Sequence, residues 1–391
     1  MPWKETCAMK ERKAFIECWL SGEYNKSQLC RRFGISRPTG DKWIGRFIRE
    51  GMNGLEDRSR APHRPGNQTA EHLVRQIVET KHRFPHWGPL PIHHWLVRER
   101  PQVNWPAAST MGSILKRHGL VKDRRKRPRV PPHSQPLAHA TRPNAVWSAD
   151  YKGHFAMGDG RRCYPLTISD NYSRFLIDCH GQYGTRLEPV KARYIRAFRA
   201  YGLPDAIRTD NGYPFAQISL GGLGPLSIWL LKLGVMPERI APGCPQQNPR
   251  HERMHRTLKA ATAKPPKGNL SAQQRAFNRF RTEYNEQRSH QGLKPGQRPA
   301  DVYRPSPRTY SDRESPPEVE YPDHFDVRKV KCGGYIRCHG VVVYCSRQLL
   351  GEYIGLEPIN EDLYRIYFAQ LPLGIVDRRL HRIIRPNGSK V

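Results

Sequence analysis

The chain has 391 residues, with 66 Lys and Arg against 35 Asp and Glu, a formal charge of +31. At 37% hydrophobic and 26% charged it has enough apolar material for true cores, which excludes wholesale disorder. No run approaches the roughly 18 apolar residues of a membrane span, and Met1-Pro2-Trp3-Lys4-Glu5 lacks the apolar stretch of a secretion signal. A soluble intracellular protein with a polyanion as partner is therefore expected.

In chain order, residues 1–55 read as helices. Phe15, Ile16, Trp19 and Leu20 form a helical stripe over 8–21, stopped by Gly22. A short segment from Ser27 to Phe33, the turn Gly34-Ile35-Ser36 and a basic helix over 37–49 then give the pattern of a helix-turn-helix. Its second helix would offer Arg37, Thr39 and Lys42 to a DNA groove and turn Trp43, Ile44 and Phe47 inward. Residues 56–70 are a linker. A second helical unit spans 71–121 and ends in a helix over 107–118 that Gly119 stops. Residues 122–143 are a basic linker: Lys122 to Arg129 hold six basic residues, and Arg124, Arg125, Lys126 and Arg127 read as a strap along phosphates.

From Asn144 the texture changes to strands. Runs over 145–157, 162–169 and 174–182 are separated by Gly158-Asp159-Gly160 and Asp170-Asn171. There follow a helix over 188–200, a strand over 205–209, a helix over 226–233, a strand over 235–240 and helices over 250–263 and 272–284, an α/β order closing near residue 305. Residues 306–324 are a linker, and 325–391 read as a small β barrel. The fold class is thus multidomain, α + α/β + β. The first 140 residues carry 27 basic and 12 acidic side chains, residues 141–305 carry 26 and 12, and the remainder is close to neutral at 13 and 11. Nine cysteines without CxxC pairs read as reduced thiols, and the group Cys332, Cys338-His339 and Cys345 as alternating strand positions rather than a zinc site.

Three acids stand out. Asp150 lies mid-strand in Trp147-Ser148-Ala149-Asp150-Tyr151, where an ionised carboxylate is costly unless paired or metal-bound. Asp210 ends a strand in Arg208-Thr209-Asp210-Asn211-Gly212, the position at which α/β sheets place ligands. Glu252 lies in the first turn of a helix, with His255, Arg256 and Lys259 on its face at i+3, i+4 and i+7, a basic stripe for the adjacent DNA phosphates. Converging at one sheet edge, these acids could hold two Mg²⁺ ions about 3.5–4 Å apart and so hydrolyse a phosphodiester.

These residues carry a resemblance. With Gln28 to Ser36, Trp105 to Thr110, Trp147 to Phe155, Arg208 to Phe215, Pro245 to Lys259, and the set Tyr284-Asn285, Arg288, His290, Pro299-Ala300 and Tyr303, the chain resembles the integrase-core (DDE) transposases of bacterial insertion sequences, whose catalytic domain is similar to retroviral integrase. The resemblance covers almost the whole chain. It implies an RNase H-like core over 144–305 that binds two divalent ions, Mg²⁺ or Mn²⁺, through Asp150, Asp210 and Glu252. It further implies DNA contact by Lys259, end recognition by the helix-turn-helix units, a homo-oligomer on double-stranded DNA, and a bacterial, cytoplasmic and nucleoid-associated location. The implied reaction frees a 3′-OH at the element's ends by hydrolysis, and that hydroxyl then attacks target DNA. Pro249 stands where the family commonly has glycine, Cys244 where a basic residue is usual, and Asp41 where an aromatic is. A DNA-binding protein or repressor that keeps this core as scaffold is the alternative reading.

The strap makes a quantitative expectation. Deleting residues 122–129 lowers the slope of log K against log salt for duplex DNA, since each lost phosphate contact removes about 0.9 from it. An unchanged slope in a salt titration would make the run a tether.

Overall fold

The computed structural model describes residues 7–58, 68–121, 137, 139–217, 219–241, 247–312 and 316–384. The chain divides into two compact units, residues 1–69 and 70–391. No described helix is long and apolar enough to cross a membrane.

The first unit is built from α1 (Ala8–Leu20), α2 (Lys26–Arg32) and α3 (Arg37–Glu50). Asn25 and Gln28 cap the start of α2 reciprocally, satisfying two of its orphan amides. Phe15, Ile16, Leu29, Cys30, Trp43, Ile44 and Leu55 form the core. Gly40 lets α3 pass close to α2: a Cβ there would lie 2.6 Å from the Cys30 sulfur. On α3, Arg37 and Lys42 are exposed and Thr39 is half-buried, its hydroxyl 2.9 Å from that of Ser36. Arg37 donates to the Ser27 hydroxyl, and Asp41 pairs with Lys26 at 2.6 Å.

The second unit begins with α4 (Glu71–Arg83), α5 (Pro89–Glu99) and α6 (Ala108–Arg117), around Ile77, Trp87, Ile92, Met111 and Ile114. The expected strap, Arg124 to Arg127, lies outside the described residues, as does Cys244. Then come β1 (Val146–Tyr151), β2 (Phe155–Ala156), β3 (Arg162–Asp170), β4 (Leu176–Gln182), α7 (Leu187–Tyr201), β5 (Ala206–Thr209), α8 (Pro225–Lys232), β6 (Met236–Arg239), α9 (Pro249–Thr262), α10 (Leu270–Thr282) and α11 (Pro299–Val302). The strand expected over 145–157 is broken in two by Lys152-Gly153-His154, with Gly153 at φ 65. The sheet is mixed. Its order is β2-β3-β1-β5-β6, with β4 also on β3; β1 runs antiparallel to β3 and parallel to β5.

Val190, Tyr194, Ala197 and Phe198 make the stripe by which α7 packs on this sheet. After α10 the backbone widens into one π turn, Glu283–Gln287. There the Asn285 amide pairs with both backbone groups of Leu176, at 2.8 and 3.0 Å, as a neighbouring strand would. Glu283 accepts from the Trp87 indole at 2.6 Å and Arg98 donates to the Gln287 carbonyl at 3.0 Å, so α4–α6 are tied to the core at this turn.

The C-terminal strands are β7 (Asp326–Lys329), β8 (Tyr335–Cys338), β9 (Val341–Tyr344), β10 (Tyr353–Pro358), β11 (Leu363–Phe368), β12 (Leu371–Asp377) and β13 (Arg382–Ile384). The sequence predicts a barrel here. Among the described residues the strands instead form an open five-stranded antiparallel sheet, β13-β12-β11-β10-β7, and a separate β8-β9 ribbon. Its core, which includes Cys338 and Cys345, also takes in Leu220, Leu223, Ile228 and Leu231. Helix α8 is therefore buried on two sides. Leu226, Trp229 and Leu230 face the mixed sheet while Ile228 and Leu231 face the C-terminal one, which explains a sequence that is apolar all round. The segment before it is pinned the same way, with Gly221 and Gly222 at φ 62 and 66 between the buried Leu220 and Leu223.

Each of these four leucine or isoleucine side chains is worth about 1.5–3 kcal/mol when buried. Removing residues 325–391 therefore lowers the thermal midpoint of the remaining second unit and exposes a dye-binding apolar surface. A truncated protein melting at the full-length temperature would show that α8 needs no second sheet.

Candidate active site

Asp150 occupies β1 at the position paired with Thr167 of β3. On the other side β5 runs parallel and the ladder ends with Ser148 beside Arg208, two residues before each aspartate; Asp210 is near enough for its charge to act on Asp150. Asp210 closes the turn after β5 by accepting from the Gly212 amide at 3.1 Å. Arg208, nearly buried, binds Glu238 of β6 at 2.8 Å and donates to the Gln247 carbonyl at 3.1 Å, anchoring the approach to α9.

Helix α9 carries the third acid. Pro249 takes its first position, where a missing N–H costs nothing. Glu252 follows in the first turn, where the helix dipole favours a carboxylate. Asn248, preceding the helix, accepts from the Ser148 hydroxyl of β1 at 2.8 Å. Burial first, then the charges of Asp210 and Glu252, push Asp150 up to about 7. The structure thus gathers the three acids closely enough for their charges to oppose one another.

His255 departs from expectation. With Arg256 and Lys259 it was to form an exposed basic stripe, but it is wholly buried and its basicity is driven well down by burial, so it is a neutral imidazole and not a phosphate contact. The physical reason lies in β3. The Thr167 hydroxyl is 2.6 Å from Nε2 of His255 and 2.8 Å from Nε2 of His251, and the Ser169 hydroxyl is 2.7 Å from Nδ1 of His251. His251, pushed down to about 3 by burial, was missed in the sequence. Its spacing of four from His255 and the alternate hydroxyls Thr167 and Ser169 were the available signal. Nδ1 of His255 points toward the acids, 3.8 Å from Asp150 Oδ2 and 4.0 Å from Glu252 Oε1.

Arg256 and Lys259 are exposed and line an open groove with Glu252, Lys152, Arg253 and Lys264. Lys152 is the other residue the sequence reading passed over. Two positions beyond Asp150 it shares that residue's face, and its Nζ lies 3.7 Å from Glu252 Oε2. Arg37, Thr39 and Lys42 belong to the first unit, on α3. The donor set fits a divalent cation: a carboxyl, Asp150, pushed up by burial and by the charges of Asp210 and Glu252, and a buried ring nitrogen with no hydrogen-bond partner.

Residues 140–245 and 233–296 match a family described as integrase core domain, 11–63 one described as helix-turn-helix domain, and 39–115 one described as homeodomain-like domain. The 31.7 kDa protein of insertion element IS407 from Burkholderia multivorans is 30% identical over 57% of this chain and 78% of its own length. The 39.2 kDa protein of insertion element IS476 from Xanthomonas euvesicatoria is 27% identical over 59% of this chain and 64% of its own length. The HTLV-2 integrase catalytic core domain, solved in complex with magnesium, is 16% identical, covers 41% of this chain and 97% of its own, and aligns with a TM-score of 0.33.

The raised pKa of Asp150 sets a pH dependence. An acid whose folded pKa lies above its unfolded value opposes folding only once ionised, so the penalty is absent below about pH 4 and complete above about pH 7. In metal-free protein, Asp150→Asn therefore stabilises more at pH 8 than at pH 5, by about 3 kcal/mol. Chemical denaturation at the two pH values measures this, and equal gains would place the titration elsewhere.

Proposed function

Because this chain belongs to the integrase-core transposases of insertion sequences, we propose that it cuts DNA at the ends of its own element and joins the freed 3′-OH to target DNA. The observation that carries this reading is the gathering of Asp150, Asp210 and Glu252 beside a groove lined by cationic side chains. A surface that only bound DNA would gain by losing these acids.

In this reading the three carboxylates hold two divalent ions, Mg²⁺ or Mn²⁺. When bound, the ions supply activation of the attacking oxygen and stabilisation of the leaving oxygen of the phosphodiester. The protein supplies the placement. Asp150 is placed by the register of β1 on β3 and Asp210 by the turn after β5, whereas Glu252 is carried by α9 and set by the seam between its imidazoles and β3. Arg253, Arg256 and Lys259 hold the strand's phosphates along the same helix, with Lys152 lining the same groove. The α3 residues Arg37, Thr39 and Lys42 and the second helical unit read the terminal inverted repeats, Arg124 to Arg127 bind phosphates as a strap, and two ends are paired by a multimer.

Asp150→Asn, Asp210→Asn and Glu252→Gln each lower Mg²⁺-dependent cleavage of end-containing duplex by about a thousandfold or more while leaving duplex binding nearly intact. Cleavage that survives all three changes would remove these residues from the chemistry. Binding lost along with it would make them scaffold.

A further inference from the structure

The Thr167 hydroxyl makes three contacts. It lies 3.1 Å from the Asp150 carbonyl, 2.6 Å from Nε2 of His255 and 2.8 Å from Nε2 of His251. A hydroxyl has one proton and two lone pairs. All three contacts are satisfied in one way: the proton goes to the carbonyl, which is a pure acceptor, and both imidazoles donate from Nε2. A neutral ring protonated at Nε2 is bare at Nδ1. For His251 that suits Ser169, whose hydroxyl donates to Nδ1 at 2.7 Å. For His255 it leaves a buried lone pair with no donor, facing Asp150 Oδ2 at 3.8 Å and Glu252 Oε1 at 4.0 Å.

Three acceptors that face one another without a proton between them repel, and burial sharpens the repulsion. A cation resolves it. Two atoms each about 2.1 Å from one ion can stand up to about 4.2 Å apart, so both separations fall within the span of a shared ion. His251 belongs to the same cluster, its ring within 4.8 Å of the Asp150 oxygen, but both its nitrogens are already engaged.

We propose that Nδ1 of His255 is a direct metal ligand, so that the ion shared by Asp150 and Glu252 sits in a mixed nitrogen–oxygen site that prefers a first-row transition ion such as Mn²⁺ to Mg²⁺. Imidazole suits first-row transition ions, whereas Mg²⁺ favours carboxylate, carbonyl and water oxygen. Thr167, itself held by His251, then orients the ligand, as a partner on the far nitrogen of a metal-bound imidazole does. The inference rests on the metal-binding role given above to Asp150 and Glu252, and it adds a fourth residue and an ion preference.

The test uses full-length protein and Mn²⁺ itself, followed by pulsed electron paramagnetic resonance with no DNA present. Wild-type protein shows nitrogen superhyperfine coupling to the bound Mn²⁺. In His255→Gln, whose amide can keep the bond to Thr167, the coupling disappears and Mn²⁺ affinity falls about tenfold or more, while Mg²⁺ affinity stays within about twofold. A thermal midpoint near that of wild type shows the variant folded, and the wild-type spectrum stands without it. Mn²⁺ bound without nitrogen coupling overturns the ligand assignment and leaves the carboxylate site standing. No Mn²⁺ binding by wild type overturns the metal reading as a whole. Equal losses for both ions in His255→Gln make the residue structural, and coupling that vanishes only in His251→Gln moves the ligand to that residue.

Discussion

The hydroxyl of Thr167 takes part in three hydrogen bonds, and the position of α9 on the sheet follows from them. Of the three acids, Asp150 lies in β1 and Asp210 in the turn just after β5, the strand that pairs with β1. Glu252 comes from a helix 42 residues later in the chain than Asp210. What brings it there is a pair of imidazoles, one turn apart on α9, laid against the hydroxyls of Thr167 and Ser169. Each of these bonds contributes about 1 kcal/mol net, but leaving a partner buried and unpaired costs about 1–3 kcal/mol. The seam is thus more effective in specifying one seating of α9 than in adding stability.

The same logic recurs around the sheet. Asn285 completes β4 where no strand is available. The Asn144 side-chain carbonyl accepts from the Trp147 indole at 3.0 Å and the Tyr303 hydroxyl at 2.8 Å. Arg208 links β5, β6 and the approach to α9. Each polar side chain satisfies backbone or side-chain groups from segments far apart in sequence, so the apolar core supplies the driving force while these bonds select the arrangement.

Much of this was legible beforehand. Alternation and turn residues locate nearly all of the α/β order. The three acids stand out because carboxylates in those settings are physically costly. His255 was misread for a definite reason: on a helical wheel a histidine among arginines counts as a cation, and whether it is buried depends on Thr167, 88 residues earlier. The barrel was misread because strand content carries no information on which edges pair. Nor could periodicity show that Leu220 and Leu223 are pinned, since the leucines and isoleucines that cover them come after residue 330.

The two-sided burial of α8 also governs the order in which the working protein can come into being. A chain emerging from the ribosome completes α1–α3 first, and that unit has its own core. The mixed sheet with Asp150 and the turn bearing Asp210 follow, but α8 keeps one apolar face uncovered until the sheet ending at Ile384 has been made. Nascent chains therefore pass through a stage in which the first three helices are complete while the integrase-core layer still has α8 covered on one side only.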